Sequence, residues 1–312
     1  MRRVVITGGT GFIGMRLSAL LERENYEVVH LSRSRKEVER FRSYLWDPGS
    51  GYCDKDAFRD GDTVIHLAGA NIGEKRWTER RKRVIARSRT KAAGLIYKAT
   101  VGSGIRPDAF ITASGKDYYG TGISEKIYRE NDPPGNDFMG KVCRLWEAAA
   151  DPFEAAGIRV AKIRTALVLA PEGSAISKLT APARIGLIIR LGPGNQYFPW
   201  IHVDDLCNVY LKTVSDETMA GPFNASAPEH ITHDMLMSVI ARQKKLPVFL
   251  PRIPEWLLNI VLGEMSVVLT TGSRISPQRL IHSGFQFMYP DIEGALKAIT
   301  PSLKSPQVYS HR

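Results

Sequence analysis

The chain has 312 residues, 43% apolar and 24% charged, a composition ordinary for a globular protein with a large buried core. No apolar run approaches the roughly 20 residues that cross a bilayer, because the longest, Trp256–Leu269, is interrupted by Asn259, Gly263 and Glu264. The formal charge of +11 suits phosphorylated ligands, but the densest basic run, Arg80 to Arg89, lacks the interleaved aromatics that stack bases. That run reads as a solvated helix face with one or two ligand contacts, so neither nucleic acid nor a membrane is expected as a partner.

In chain order, short β-rich apolar runs appear at Arg3–Thr7, Glu27–Leu31, Thr63–Ala68, Ala109–Ala113, Arg159–Ile163 and Gly221–Asn224. Stretches of helical periodicity lie between most of them, at Gly11–Glu24, Arg76–Val101 and Met139–Ala150. Alternation of this kind, with nearly continuous apolar strands, predicts an α/β fold: a Rossmann-type doubly wound parallel sheet with helices on both faces. After Pro171 the pattern loosens into glycines and prolines, then WIHVDD at Trp200–Asp205, then helices at Glu255–Thr271, Ser276–Ser283 and Asp291–Ile299. The expected organisation is a dinucleotide-binding core over residues 1–170, to which elements near 200–225 return. A substrate-side lobe over 171–312 would include a small, mostly helical domain at about 248–300 and end in a frayed polar tail.

The opening MRRVVITGG enters a strand directly and shows no secretory pattern, so a cytoplasmic location is expected. Cys53, Cys143 and Cys207 are odd in number, far apart and without a CxxC, which fits reduced thiols better than disulfides or zinc.

VVITGGTGFIG sets Gly8, Gly11 and Gly14 between a strand and a helix. The first glycine permits a tight turn, the second a close approach of backbone to a pyrophosphate, and the third close packing of helix on strand. The helix start then offers unpaired N–H groups and a positive dipole end to phosphates. At the end of the second strand stand Ser32 and Arg33, with Arg35 and Lys36 beyond, where an NAD-selective site commonly has a carboxylate. A guanidinium suits a 2′-phosphate, so NADP(H) is expected over NAD(H).

VITGGTGFIG and VIHLAGAN (Val64–Asn71) resemble the extended short-chain dehydrogenase/reductases. RW at Arg76–Trp77, SRT at Ser88–Thr90, DYYG at Asp117–Gly120, WEAAA at Trp146–Ala150 and QYFPWIHVDDL at Gln196–Leu206 narrow the likeness. With FNASAP, ISPQRL and GFQFMYPDIEGAL they resemble the atypical "epimerase family", nucleoside-diphosphate-sugar epimerase-like proteins with a short C-terminal domain of unknown function. The resemblance implies that Gly8, Thr10, Gly11, Phe12 and Ile13 wrap the pyrophosphate and that Ser32 and Arg33 hold the adenosine phosphate. It implies also that Leu67, Ala68 and Gly69 pass under the adenosine and ribose, that Arg89 reaches the cofactor, and that Val168 lies beside the nicotinamide. Arg164, Trp200, His202 and Asp204 would line or brace the substrate side.

Superfamily oxidoreductases place Tyr and Lys at YxxxK, one helical turn apart, so that the ammonium lowers the phenol pKa for proton transfer. No YxxxK occurs in this chain. Aligning Glu147 with the family glutamate puts Met139 at the tyrosine position and Cys143 at the lysine position, with Lys141 half a turn away. Ser114 stands near the expected serine, Thr112 precedes it, and Tyr118 or Tyr119 is either a substitute phenol or a packing residue. Asp204 and Asp205 either cap the following helix or belong to the active site. No metal site is expected, since His230 and His233 lack a third ligand in the sequence. Two functions fit: an oxidoreductase or epimerase on a small carbonyl or sugar-like compound, or a catalytically silent NADP(H)-binding sensor or scaffold.

Overall fold

A computed structural model describes residues 2–33, 40–171, 186–246 and 252–299, together with 176, 179, 182 and 183. The chain begins with β1 (Arg3–Thr7), α1 (Phe12–Arg23), β2 (Glu27–Ser32), β3 (Arg42–Asp47), β4 (Tyr52–Cys53) and β5 (Thr63–His66). It continues through α2 (Glu79–Ala99), β6 (Ala109–Gly115), β7 (Ile123–Tyr128), α3 (Phe138–Ala148), α4 (Asp151–Ala155), β8 (Arg159–Thr165) and β9 (Leu167–Leu169). Then come β10 (Arg190–Leu191), β11 (Trp200–His202), α5 (Val203–Ser215), β12 (Gly221–Ala225) and α6 (His233–Lys244). The last are β13 (Arg252–Ile253), α7 (Glu255–Leu262), α8 (Val267–Thr270), β14 (Gly272–Ile275), α9 (Gln278–His282) and α10 (Ile292–Ile299).

Eight strands form the main sheet in the order β12-β8-β6-β5-β1-β2-β3-β4, parallel except for the antiparallel β3–β4 pair. Successive residues of β1 serve opposite faces, as the two-residue strand period requires. Val4 and Ile6 pack with Leu17, Ile201, Leu206 and Tyr210 on the α1–α5 side. Val5 packs with Val29, Val64, Ile96 and Phe153 on the other. Because both faces are covered, all five β1 residues are buried, including Arg3, whose guanidinium makes a two-bonded pair with Asp62.

Two helix starts are sharpened by caps. Thr78 accepts from the Arg81 N–H, so α2 begins at Glu79 and not at Arg76, with Trp77 buried just before it. Asp137 accepts from the Gly140 N–H and starts α3. The helix expected over Glu255–Thr271 is broken: Gly263 takes φ +63°, and α7 gives way to a 3-10 turn and then α8. Strands β3 and β4 were not anticipated, since RSYLWD carries charges at both ends and buries Tyr44 and Trp46 only through tertiary packing. The C-terminal lobe is mostly helical, with a core that joins Trp200, Leu236, Ile240 and Leu296. It is tied to the rest of the chain by two small two-stranded sheets, β14 with β7 and β11 with β9. The tail beyond Ile299 and the positions of Arg35 and Lys36 lie outside the described residues.

Candidate cofactor and active site

Strand order reverses at β1, which lies between β2 and β5, and open α/β sheets bind ligands in the crevice outside the strand ends at that point. The glycine turn occupies it. Gly8 has φ +72°, and a Cβ there would come within 3.1 Å of the Ala68 backbone nitrogen, so β5's continuation crosses directly against the turn. A Cβ on Gly14 would overlap Gly8 O and the Gly9 backbone. Gly11 ends the turn as the N-cap of α1, with no side-chain cap, and the first-turn N–H groups of Phe12 and Ile13 lack intrahelical acceptors. Thr10, Gly11 and Phe12 are exposed, which leaves this end of α1 open to a ligand.

Two buried imidazoles support the turn from below. Ser18 donates to Gly14 O at 2.7 Å, so the His30 Nε2–H, also 2.7 Å away, donates to Ser18. That leaves His30 Nδ1 buried and unpaired, while its ring fills the space a Gly9 side chain would need. On the opposite face, Thr7 Oγ1 accepts from the Ala68 N–H and lies 2.7 Å from His66 Nδ1, leaving His66 Nε2 unpaired. Burial pushes the pKa of both rings down to about 4, so they are neutral supports at neutral pH.

Arg89 on α2 is 5% exposed, and its guanidinium lies against Gly69, where a Cβ would be 3.1 Å from Cζ. It stacks 4.5 Å above Trp146 and donates to Ile85 O, yet its Nε is unpaired and no carboxylate pairs with it among the described residues. Desolvation lowers its pKa to about 10. At the far side of the crevice Ser32 is half-buried and Arg33 exposed. Asp47 lies near enough for Arg33 to help hold its carboxyl below the usual range, after the Gly49 N–H and the Ser50 hydroxyl. Val168, half-buried on β9, faces Ile201 in register.

Ser114, at the end of β6, donates to Glu147 Oε1 at 2.7 Å. Arg164 on β8 grips the same carboxylate with two bonds of 2.8 Å. The other guanidinium edge donates to Tyr119 Oη at 2.9 Å and Glu130 O at 3.0 Å, and Tyr119 in turn donates to Asn224 Oδ1. Burial raises the Tyr119 phenol well above its ordinary value, outweighing Arg164. Tyr118 lies face-on to Arg164, with Cζ 3.4 Å from the ring centre, and is half-buried. The network therefore gathers Ser114 and Tyr118, from the end of β6 and the turn after it, with Arg164 from β8. Of its partners, Asn224 lies in the FNASAP string without its role being legible there, and Glu130 lies in no motif that sequence reasoning could have used.

The sequence pattern described as the NAD dependent epimerase/dehydratase family matches residues 4–225. The chain belongs to that family. A second pattern, a domain of unknown function, matches residues 253–299. The epimerase family protein YfhF of Bacillus subtilis is 32% identical over 303 residues, covering 97% of this chain and 99% of the relative. The mouse epimerase family protein SDR39U1 is 33% identical over 302 residues, covering 95% and 99%. Among solved structures, human SDR39U1 with NADPH superposes at a TM-score of 0.83, with 29% identity over 95% of this chain and 98% of that one. The Rossmann-type, nicotinamide-dinucleotide-binding scaffold is thus that of the family.

In this epimerase-family chain the two relay positions hold apolar packing. Met139 is buried against Trp77, Ile85 and Val142, and Cys143 is buried beside Gly115, with desolvation pushing its thiol up to about 12. Lys141 is exposed. On the substrate side, Trp200 is fully buried and braces the lobe's core. The cap of α5 is His202, whose Nδ1 accepts from the Asp204 N–H, so neither aspartate takes that role. His202 packs 3.9 Å from Tyr289, and burial lowers its pKa. Asp204 pairs with Arg16 of α1 at 2.5 Å, while buried Asp205 accepts from the N–H groups of Met288 and Tyr289. A small cleft between the loop after β6 and β14 is lined by Lys116, Tyr119, Thr121, Pro199, Gly272 and Ser273.

Proposed function

We propose that this chain binds NADP(H) at the Gly8–Gly14 turn and acts as an oxidoreductase or epimerase on a small carbonyl or sugar-like substrate. The observation that carries the cofactor is Arg89: a buried cation with an unpaired Nε and, among the described residues, no carboxylate partner is costly unless an anion completes it. The turn, the uncapped start of α1 and Arg89 would hold the pyrophosphate, and Ser32 with Arg33 the adenosine 2′-phosphate. The NADPH in the human relative's structure supports the same choice. When bound, the nicotinamide supplies or accepts a hydride. Ser114, buried with its proton committed to Glu147, would act towards a substrate only as an acceptor, while Tyr118 offers a phenol from the adjacent turn. Glu147 and Arg164 position both and exclude water from beneath them.

A specific observation favours a second reading, a silent NADP(H)-binding sensor or scaffold. Cys143 and Met139 leave no ammonium or phenol at the relay positions, and Arg164 commits Nε, Nη1 and Nη2 to bonds with Glu147, Tyr119 and Glu130 O. Equilibrium titration with NADPH and NADH, on wild type and Arg33→Ala, tests the cofactor. Equal affinities, unaltered by the substitution, would remove NADP(H) preference. Following NADPH absorbance across quinones, aldehydes and nucleotide-sugar ketones tests turnover, with Ser114→Ala and Tyr118→Phe as controls. Tight binding with no oxidation by any compound assigns the silent role.

A further inference from the structure

Helix α7 has the sequence EWLLNIVL, yet Leu258 is its one buried residue. Trp256 is 63% exposed, Ile260 and Val261 62% each, and Leu257 37%. A helix this apolar is normally covered on most sides, yet these four side chains keep much of their surface exposed. They are the largest concentration of exposed apolar groups among the described residues, on the outside of the C-terminal lobe.

We propose that α7 docks this protein on an anionic lipid surface. The charges beside the helix point to that occupant. Its C-terminal end, at Gly263, abuts the Arg76 guanidinium, and Glu264 pairs with Lys82, so α7 runs up against the start of basic helix α2. The start of α2 and the residues before it carry Lys75, Arg76, Arg80, Arg81, Lys82 and Arg83 against Glu74 and Glu79, and Glu264 is the acidic residue α7's end adds there, a local cationic excess. Arg76, Arg80, Arg83 and Arg87 are exposed and form no ion pair among the described residues. Extent also decides between a membrane and a second copy of the chain. A stable protein interface takes roughly 20–30 residues a side, far more than one eight-residue helix supplies. A few inserted apolar side chains with cations at the headgroups are what a surface-bound helix uses, and tryptophan favours that depth. No helix among the described residues is long and apolar enough to cross a membrane, so the contact is peripheral. It departs from the sequence-based expectation of no membrane partner.

The test is flotation of the full chain with vesicles of pure phosphatidylcholine and of equal parts phosphatidylcholine and phosphatidylglycerol. Wild type is expected to float with the anionic vesicles, at least tenfold more than with the neutral ones, and to be released by high salt. Trp256→Ser with Ile260→Ser should reduce partitioning at least tenfold, as should Arg76→Glu with Arg80→Glu. NADPH titration of the same variants should match wild type, which separates lost docking from lost folding and from failure of the cofactor reading. Equal flotation of wild type and variants, or none with either vesicle, overturns the proposal. A concentration-dependent dimer abolished by the Trp256 and Ile260 changes would assign the face to a second copy instead.

Discussion

At Gly14 a Cβ would meet backbone on both sides, Gly8 O and Gly9, and backbone cannot swing aside as a flexible side chain can. Gly14→Ala should therefore cost about 1–3 kcal/mol in urea unfolding and weaken NADPH binding at least tenfold. Gly94, inside α2 with nothing within 4 Å of an added methyl, is the matched control; Gly94→Ala should stabilise by about 0.5–1 kcal/mol. The buried histidines give a pH prediction. His30 and His66, with pKa values of about 4 in the fold against 6.5 when unfolded, bind fewer protons folded than unfolded between those limits. Their contribution is complete above pH 6.5 and is lost as pH falls towards 4. Urea midpoints should decline across that window, and His30→Gln should flatten the slope; a slope unchanged by that substitution would argue against the assignment.

Among elements, the join of α3 to β8 rests on Glu147 and Arg164, a pair almost without solvent. Removing one member strands the other, so Arg164→Met should cost about 3–5 kcal/mol, while Arg164→Met with Glu147→Leu should recover most of it. A double-mutant cycle by urea unfolding checks this. Ser114 loses its acceptor in the double variant, so turnover, if present, should not recover with stability. Periodicity in the sequence located α3 and β8 but not their pairing. The residues lie 17 apart, and only the parallel register of β6 on β8, which sets Ser114 beside Arg164, brings hydroxyl, carboxylate and guanidinium together.

At the scale of the molecule, cofactor binding and stability are linked. NADPH at about 100 times its Kd should raise stability by about 2.7 kcal/mol, read as a higher Tm. Arg89→Met should leave the apo protein as stable or more so, because it removes a buried unpaired cation, while shrinking the NADPH-induced shift. The lobe and core are joined through Asp205, which holds the Met288 and Tyr289 N–H groups. Asp205→Ala should cost on the order of 2–4 kcal/mol and increase hydrogen exchange at Phe287–Tyr289 before that of β1.

The order of residues along the chain suffices for the parallel sheet, the glycine turn, the family and the loss of the Tyr–Lys relay. Each is written in local spacing: runs of buried strand residues, three glycines at fixed intervals, two positions in one helix. Folding in three dimensions adds that His30 and His66 support the turn, that His202 caps α5, and that Arg89 lies uncompensated beside Gly69. The physical reason is that pairing and desolvation depend on which distant groups share a small space, and spacing along the chain does not specify that.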